Sequence, residues 1–158
     1  SQPIDFWMSR EQFEYWSHAA SYLPFKNYRY CLPRMHAITN GERHWFPRTQ
    51  ENEKVMKQVL ARIGAEGPLQ ARQFEAPAGT RSGPWFDWKP AKMAVEQLFM
   101  HGHLMVRERK GFQKVYDLRE RVIPAGVDTT SPTPEEFAKF LILHWMSKKF
   151  AKETGLRR

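Results

Sequence analysis

The chain has 158 residues, a net charge of +8 at pH 7 and a single cysteine, Cys31. This length allows one domain or two very small ones. One cysteine excludes an internal disulfide framework and fits a reducing cytoplasm. The longest strongly apolar run, residues 140–146, is too short to span a bilayer, and no signal-peptide pattern is found, so we predict no membrane partner.

The positive charge is concentrated in one part of the chain. Residues 88–121 carry eight basic and four acidic side chains, whereas residues 51–87 carry five of each. About half of the excess charge therefore lies in residues 88–121. This distribution predicts a polyanionic partner.

The N-terminal part predicts a helix at about residues 10–22. Ser9 and Gln12 have the spacing of a capping box, which begins a helix. Glu14 and His18 would then lie one turn apart. Such a pair can serve as an acid–base pair or as a structural hydrogen bond.

The next segments predict a core segment, two helices and a loop. Residues 27–35 are aromatic and basic, which fits either a stacking platform for bases or an irregular segment that fills a core. A turn is expected at Asn40-Gly41. Residues 50–64 have apolar side chains at helical spacing, and residues 69–74 are interpreted as a short third helix. Residues 76–84 are rich in glycine, proline and alanine and predict a loop.

Residues 88–124 predict a helix followed by a β-hairpin. Pro90 fits the first turn of the helix, and Gly102 is a glycine stop. Lys110-Gly111 is a credible two-residue hairpin turn. The return strand is expected to place three side chains on one face: Phe112, Tyr116 and Leu118.

The hairpin is expected to carry basic side chains at its far end. We call Arg107, Arg109, Lys110 and Lys114 the tip cations. Such a ribbon suits a phosphate backbone or a minor groove, although exposed hairpins are also basic merely for solubility. Further candidates for DNA contact lie outside the hairpin: Lys89, Lys92, Arg72 and Arg81. Base-specific reading is not expected, because Glu96 pairs more readily with Lys92 on the helix surface.

The order helix, helix, helix, hairpin is typical of a winged helix. We therefore predict a mainly α fold with a small β-hairpin, in the α+β class: a winged helix-turn-helix with flanking helices. The predicted units are residues 1–49, an N-terminal helix and connecting segment, residues 50–124, the winged helix, and residues 125–158, a linker and C-terminal helix.

The C-terminal segment predicts a helix that ends at about Thr154. Thr133 and Glu136 form a second capping box, and Pro134 suits the first helical position. The middle of this helix, FLILHWM, is apolar on nearly every side, as in helices that are buried all round. We expect that a partner chain, or a missing part of a longer protein, covers it.

The residues offer little chemistry of their own. The six histidines lack the spacing of a metal site, so neither a metal nor another cofactor is expected. No phosphate-binding glycine loop and no Gly-x-Ser-x-Gly elbow occurs. The residues alone therefore predict a nucleic-acid-binding winged helix without catalysis.

Three stretches carry a resemblance to a known family: FEYWSHAASYLP at residues 13–24, GPLQARQFE at residues 67–75, and GHLMVRERKGFQKVYDLRERVIP at residues 102–124. Together they resemble the YcaQ/AlkZ-type winged-helix DNA glycosylases. This bacterial family removes bulky alkyl adducts and unhooks interstrand crosslinks. The resemblance covers about residues 12–155.

The resemblance implies a fold of tandem winged helices around a basic DNA channel, and hydrolysis of the N-glycosidic bond without a metal. The family's catalytic motif, glutamine-x-glutamine or glutamine-x-aspartate, lies in an N-terminal winged helix. It is not found here, since the surroundings of Gln70 and Gln73 match the middle winged helix. The chain thus resembles the middle portion of a glycosylase, with its last helix beginning a further winged helix. We expect the isolated chain to be inactive, and to bind duplex DNA in the bacterial cytoplasm, at the nucleoid, largely without regard to sequence.

Two other functions remain open from the sequence. The first is a winged-helix transcription regulator that dimerises through its C-terminal helix. Such a regulator should prefer one DNA sequence, whereas a repair domain should bind without preference and depend steeply on salt. The second is a winged helix that binds only proteins.

Overall fold

The computed structural model describes residues 11–16, 20–43, 46, 49–74 and 88–153. Helices and two small antiparallel sheets alternate along these residues, which confirms the predicted α+β class. The elements are β1 (Gln12–Trp16), β2 (Ala20–Pro24), a 3-10 helix (Phe25–Cys31), α1 (Leu32–Thr39), α2 (Gln50–Glu66), β3 (Leu69–Gln70), a second 3-10 helix (Ala71–Phe74), α3 (Trp88–His101), β4 (Leu104–Lys110), β5 (Gln113–Leu118), α4 (Arg119–Val122) and α5 (Pro134–Glu153).

The N-terminal segment is a β-hairpin, so the helix predicted at residues 10–22 is wrong. β1 pairs antiparallel with β2, and Phe13 lies opposite Leu23. Aromatic side chains favour strands, and both Phe13 and Tyr15 are buried on β1. The proposed helical pairing of Glu14 with His18 is wrong for the same reason, because Glu14 lies in a strand; His18 itself lies outside the described residues.

Residues 27–35 contribute three side chains to the core: Tyr28, Leu32 and Met35. They belong to the first 3-10 helix and to α1, so the segment is regular rather than irregular. Tyr28 and Met35 are each only 2% exposed. The ring of Phe13 lies 5.2 Å from that of Phe25 and 5.6 Å from that of Tyr28, between ring centroids. The core-filling alternative is therefore confirmed for the aromatic side chain of Tyr28.

Helices α2 and α3 occupy the positions that the sequence predicted. The Thr49 hydroxyl accepts a hydrogen bond from the backbone N–H of Asn52 at 3.1 Å, which caps the start of α2. The side chain of Asn52 donates to Gln97 on α3 at 2.5 Å, in the buried contact between the two helices. α3 ends before Gly102, whose φ of 82° is the left-handed conformation that glycine adopts without strain.

The short helix predicted at residues 69–74 is only partly correct. Leu69 and Gln70 form β3, which pairs with Tyr116 and Val115 of β5, and only residues 71–74 are helical. β5 is therefore the central strand of a sheet with the order β3-β5-β4. The loop predicted at residues 76–84 lies outside the described residues.

Strands β4 and β5 form the predicted hairpin, which we call the second hairpin. Its turn lies one residue later than predicted. Lys110 pairs with Gln113, so Gly111 and Phe112 form the turn, and Gly111 has a φ of 62°. This shift places Phe112 in solvent, 87% exposed, instead of on the face of Tyr116. The pairing register also shifts at Arg107, where an extra residue forms a bulge in β4.

The capping box of α5 is confirmed. The backbone N–H of Thr133 donates to the Glu136 carboxylate at 2.8 Å, and the N–H of Glu136 donates to the Thr133 hydroxyl at 3.2 Å. Arg29 binds Glu136 at 3.0 Å, and the ring of Tyr30 stacks on Phe140 with centroids 4.1 Å apart. One end of α5 is thus attached to the first 3-10 helix.

A single cluster of buried apolar side chains joins the N-terminal hairpin to α3 and the three-stranded sheet. The hydroxyl of Tyr15 donates to the backbone carbonyl of Met100 at 2.6 Å across this core, and burial raises the pKa of Tyr15 above its usual range. The core therefore includes residues from both sides of the predicted boundary after residue 49, and the division into three units stays a prediction. Within the described part of the chain, every helix is too short or too polar to cross a membrane.

We predict that Gly102→Ala destabilises the protein more than Gly111→Ala does. Both glycines have positive φ, where an alanine costs about 1–2 kcal/mol. A Cβ at Gly102 would also collide with the sulfur of Met35, whereas a Cβ at Gly111 meets nothing within 4 Å. Met35 is flexible but only 2% exposed, so moving its side chain aside should cost about another 1 kcal/mol, at the low end for overpacking. Urea unfolding measures both losses, and equal losses would contradict the close packing of Met35 against Gly102.

Candidate nucleic-acid interface

The far end of the second hairpin is held by a buried carboxylate from the first. Arg109 and Lys114 are direct cross-strand partners, an arrangement in which two like charges repel. Glu14 on β1, only 3% exposed, binds both of them. Its carboxylate accepts two hydrogen bonds from Arg109, at 2.6 and 3.1 Å, and lies 3.2 Å from the ammonium of Lys114. Glu14 therefore converts a repulsive pair into an attachment between the two hairpins.

The electrostatics of this cluster keep Glu14 ionised. Burial on its own raises the pKa of Glu14, but the hydrogen bonds and positive charges of Arg109 and Lys114 outweigh burial, so the pKa lies below its usual value. The hydrogen bond to Glu14 in turn raises the pKa of Arg109. A two-pronged contact of a guanidinium with a carboxylate is strong and fixes geometry. One acid and two bases leave this cluster with one positive charge.

A second buried carboxylate holds the base of the hairpin. Asp117 is fully buried and accepts from Arg107 at 3.0 Å and from Arg121 at 3.4 Å. Arg121 also donates to the backbone carbonyls of Ile63 and Gly64, at 3.2 and 2.8 Å. These carbonyls are in the last turn of α2, where a cation is favourable. The hairpin is thus attached to α2 at its base and to β1 at its tip.

The tip cations differ in how far they remain accessible. The side chain of Lys110 is 68% exposed and lies 3.8 Å from Glu108, an exposed pair that contributes little stability. Arg107 is 51% exposed despite its bond to Asp117. Arg109 and Lys114 are largely covered, at 24% and 28%. The structure therefore brings Arg109, Lys110 and Lys114 together at the far end and holds Arg107 at the base, on Asp117. Lys110 and Arg107 are the accessible ones.

The other predicted DNA-binding residues are spread over several elements. Lys92 is exposed on α3, and Arg72 is exposed on the second 3-10 helix, where it donates to the side chain of Gln70 at 2.6 Å. Arg81 and the side chain of Lys89 lie outside what the structure describes.

A groove lies between α3 and the hairpin tip. Its volume is about 590 Å³, and Lys92, Lys114 and Phe112 are among its lining residues. The ammonium of Lys114 also lies 4.9 Å from the centre of the Phe99 ring, a cation–π contact. The sequence analysis singled out Glu14 but paired it with His18, and it missed the bonds of Glu14 to Arg109 and Lys114 and the exposure of Phe112. An acid between Phe13 and Tyr15 in an aromatic run was the one signal for Glu14.

Burial determines the protonation of two titratable side chains outside the hairpin, His103 and Cys31. None of the histidine, cysteine, aspartate and glutamate side chains of the described residues form a group of three or more that could hold a metal ion. Burial lowers the pKa of His103, which keeps its imidazole neutral at physiological pH. Burial raises the pKa of Cys31 to about 12, so its thiol stays protonated and is a poor nucleophile.

Comparison with known proteins gives one family. A model of the AlkZ-like DNA glycosylases matches residues 6–148, a span that includes both hairpins, α3 and most of α5. No solved structure matches the chain.

We predict that Glu14→Gln lowers the free energy of unfolding by about 2 kcal/mol, because charged hydrogen bonds to Arg109 and Lys114 are lost. The matched control is Glu108→Gln, which removes an exposed acid from the same hairpin and should change stability by about 0.5 kcal/mol or less. Urea unfolding at pH 7 compares the two. Equal effects would show that the Glu14 cluster does not hold the hairpin.

The same variant has a defined pH dependence. Since the folded-state pKa of Glu14 lies below its ordinary value of 4.5, its stabilisation is present above about pH 4.5 and is lost as the pH falls through the folded-state pKa. The stability difference between the native chain and Glu14→Gln should therefore be constant from pH 7 to about pH 5 and shrink below that. A difference that grows on acidification would contradict a lowered pKa.

Proposed function

Because the chain belongs to the AlkZ-like DNA glycosylase family, we propose that it provides the DNA-binding surface of an enzyme that excises bulky alkylated bases and unhooks interstrand crosslinks. The family match over residues 6–148 carries this proposal. A member of this family has DNA as its partner and acts in DNA repair. In a bacterium, the place of action would be the cytoplasm, at the nucleoid.

The charges on the second hairpin support binding to a phosphate backbone. Each buried carboxylate, Glu14 and Asp117, contacts two cations, so each cluster keeps one positive charge. Lys110 is the most exposed of the tip cations, and Lys92 is exposed on α3 beside the groove. We propose that these two lysines and Arg107 contact phosphates, whereas Arg109 and Lys114 mainly hold the hairpin in place.

The local architecture suits a winged helix in which α3 is the recognition helix and β4–β5 is the wing. Phosphate contacts position a protein on DNA without reading its sequence. A repair enzyme must find damage in any sequence context, so this type of contact is the one it needs. We therefore propose binding that is largely independent of DNA sequence.

The proposed chemistry is hydrolysis of the N-glycosidic bond. A water attacks the sugar carbon as the base leaves, and a carboxylate or amide positions that water and stabilises the positive charge that develops on the sugar. An N-alkylated purine already carries a positive charge and leaves with little acid assistance. We propose that the residues described above hold the backbone near the lesion and do not themselves catalyse the reaction.

We predict that the double variant Lys110→Ala/Lys92→Ala weakens duplex DNA binding while Lys139→Ala/Lys148→Ala, which removes two exposed lysines of α5, does not. Each lost phosphate contact should reduce the slope of log affinity against log salt by about 0.9. Titration of a fluorescent duplex at several salt concentrations measures the slope. Equal slopes for the two double variants would exclude the groove and hairpin tip as the phosphate-binding surface.

Base release tests the activity itself. Duplex DNA carrying N7-alkylguanine is incubated with the 158-residue chain and, in parallel, with the intact gene product. We expect the chain to bind without sequence preference and only the intact product to release the base. Release by neither, together with tight binding of one particular duplex sequence, would contradict the repair role and favour a regulator.

The exposed apolar surface of α5 favours a second candidate function, a winged-helix transcription regulator that dimerises through its C-terminal helix. Ile142 and Trp145 are 58% and 62% exposed and lie on one face of the helix. Glu135 precedes Ile142 by one heptad, and Lys152 follows Trp145 by one heptad. In an antiparallel pair of two copies, each Ile142 would meet a Trp145 and each Glu135 a Lys152, which is the self-complementary arrangement of a two-fold dimer. In the glycosylase, we propose instead that further polypeptide covers this face.

A further inference from the structure

Phe112 lies at the outer end of the second hairpin with its ring in solvent. It is 87% exposed, more than any other large apolar side chain in the described part of the chain. A single exposed apolar residue is common on protein surfaces and carries no function by itself. Phe112 differs from such residues because its backbone is fixed in place.

The backbone of Phe112 is fixed to the buried carboxylate cluster. The Arg109 guanidinium donates to the carbonyl oxygen of Phe112 at 2.9 Å, and the same guanidinium makes two hydrogen bonds to Glu14. Gly111, with its φ of 62°, permits the tight turn that precedes the ring. The exposed ring is therefore presented on a turn attached to the core, so the backbone of the turn has little conformational entropy to lose on binding.

The turn around the ring is cationic, and the groove beside it is lined by Lys92 and Lys114 together with apolar side chains of α3 and β5. Lys110 and Gln113 on either side of the turn are exposed, and Lys114 is the next residue of β5. Val95, Phe99 and Tyr116 in that groove are only 1–7% exposed, so they do not extend the exposed ring into the contiguous apolar patch that a protein partner would require. A duplex offers phosphates for the cations and a stack of aromatic bases for the ring.

We propose that Phe112 is a wedge that enters the base stack of duplex DNA while Lys110 contacts an adjoining phosphate. Apolar side chains in this position unstack one base step and kink the duplex. The step opened in this way is one that a lesion has already weakened, because unstacking costs least at a damaged base. This inference rests on the proposed function, since it requires that the chain binds DNA.

The test uses duplex DNA with a tetrahydrofuran abasic-site analogue and 2-aminopurine at the adjoining base step, because the fluorescence of 2-aminopurine rises when it is unstacked. At saturating concentrations of the native chain, we expect a clear rise. Phe112→Ala should lose most of this rise and bind about fivefold more weakly. Phe112→Leu, which keeps an apolar wedge, should retain a substantial part of it.

The outcomes separate this inference from the function on which it rests. Since the ring is exposed, both variants should melt at the temperature of the native chain. If the native chain binds the duplex and Phe112→Ala gives the same rise, the wedge is excluded while DNA binding stands. If the native chain does not bind the duplex at all, the proposed function fails and the wedge fails with it.

Discussion

The contact between Glu14 and the two cations of the second hairpin is the constraint on which the candidate interface depends. It joins residues 95 positions apart in the chain and fixes a turn that would otherwise be free at the end of a two-stranded ribbon. An isolated buried carboxylate would be strongly unfavourable, and two facing cations without an acid between them would repel each other. Each side of the cluster therefore requires the other. We therefore expect that removing either side destabilises the contact between the two hairpins.

Asp117 holds the base of the second hairpin in the same way, by binding Arg107 and Arg121. The two carboxylates make the hairpin a rigid element with excess positive charge, attached to β1 at one end and to α2 at the other. In DNA repair, rigidity of this kind has a clear use, because a fixed surface loses little entropy on binding. Arg109 and Lys114 thus hold the hairpin, Lys110 remains accessible, and Arg107 does both.

The sequence predicted what depends on local signals. Apolar spacing and capping residues predicted helices α2, α3 and α5. The position of Gly102 between a helical and a strand pattern predicted the end of α3. The N-terminal hairpin was missed because a short aromatic run fits both helical and strand periods until its partner strand is known. β3 was missed because its two residues are a strand only through pairing with β5. A turn displaced by one residue placed Phe112 in the turn and in solvent, instead of on the strand face that it was predicted to share with Tyr116 and Leu118. No local pattern could predict the partners of Glu14.

The central claim is that the tip of the second hairpin contacts DNA, and nuclear magnetic resonance tests it most directly. A 15N-labelled chain is titrated with a short duplex, and the backbone amide shifts are followed residue by residue. We expect the largest changes at Lys110, Gly111 and Phe112, smaller ones on the exposed side of α3 around Lys92, and none at Ile142 and Trp145 of α5. Changes confined to α5, with the hairpin amides unmoved by saturating duplex, would contradict the claim.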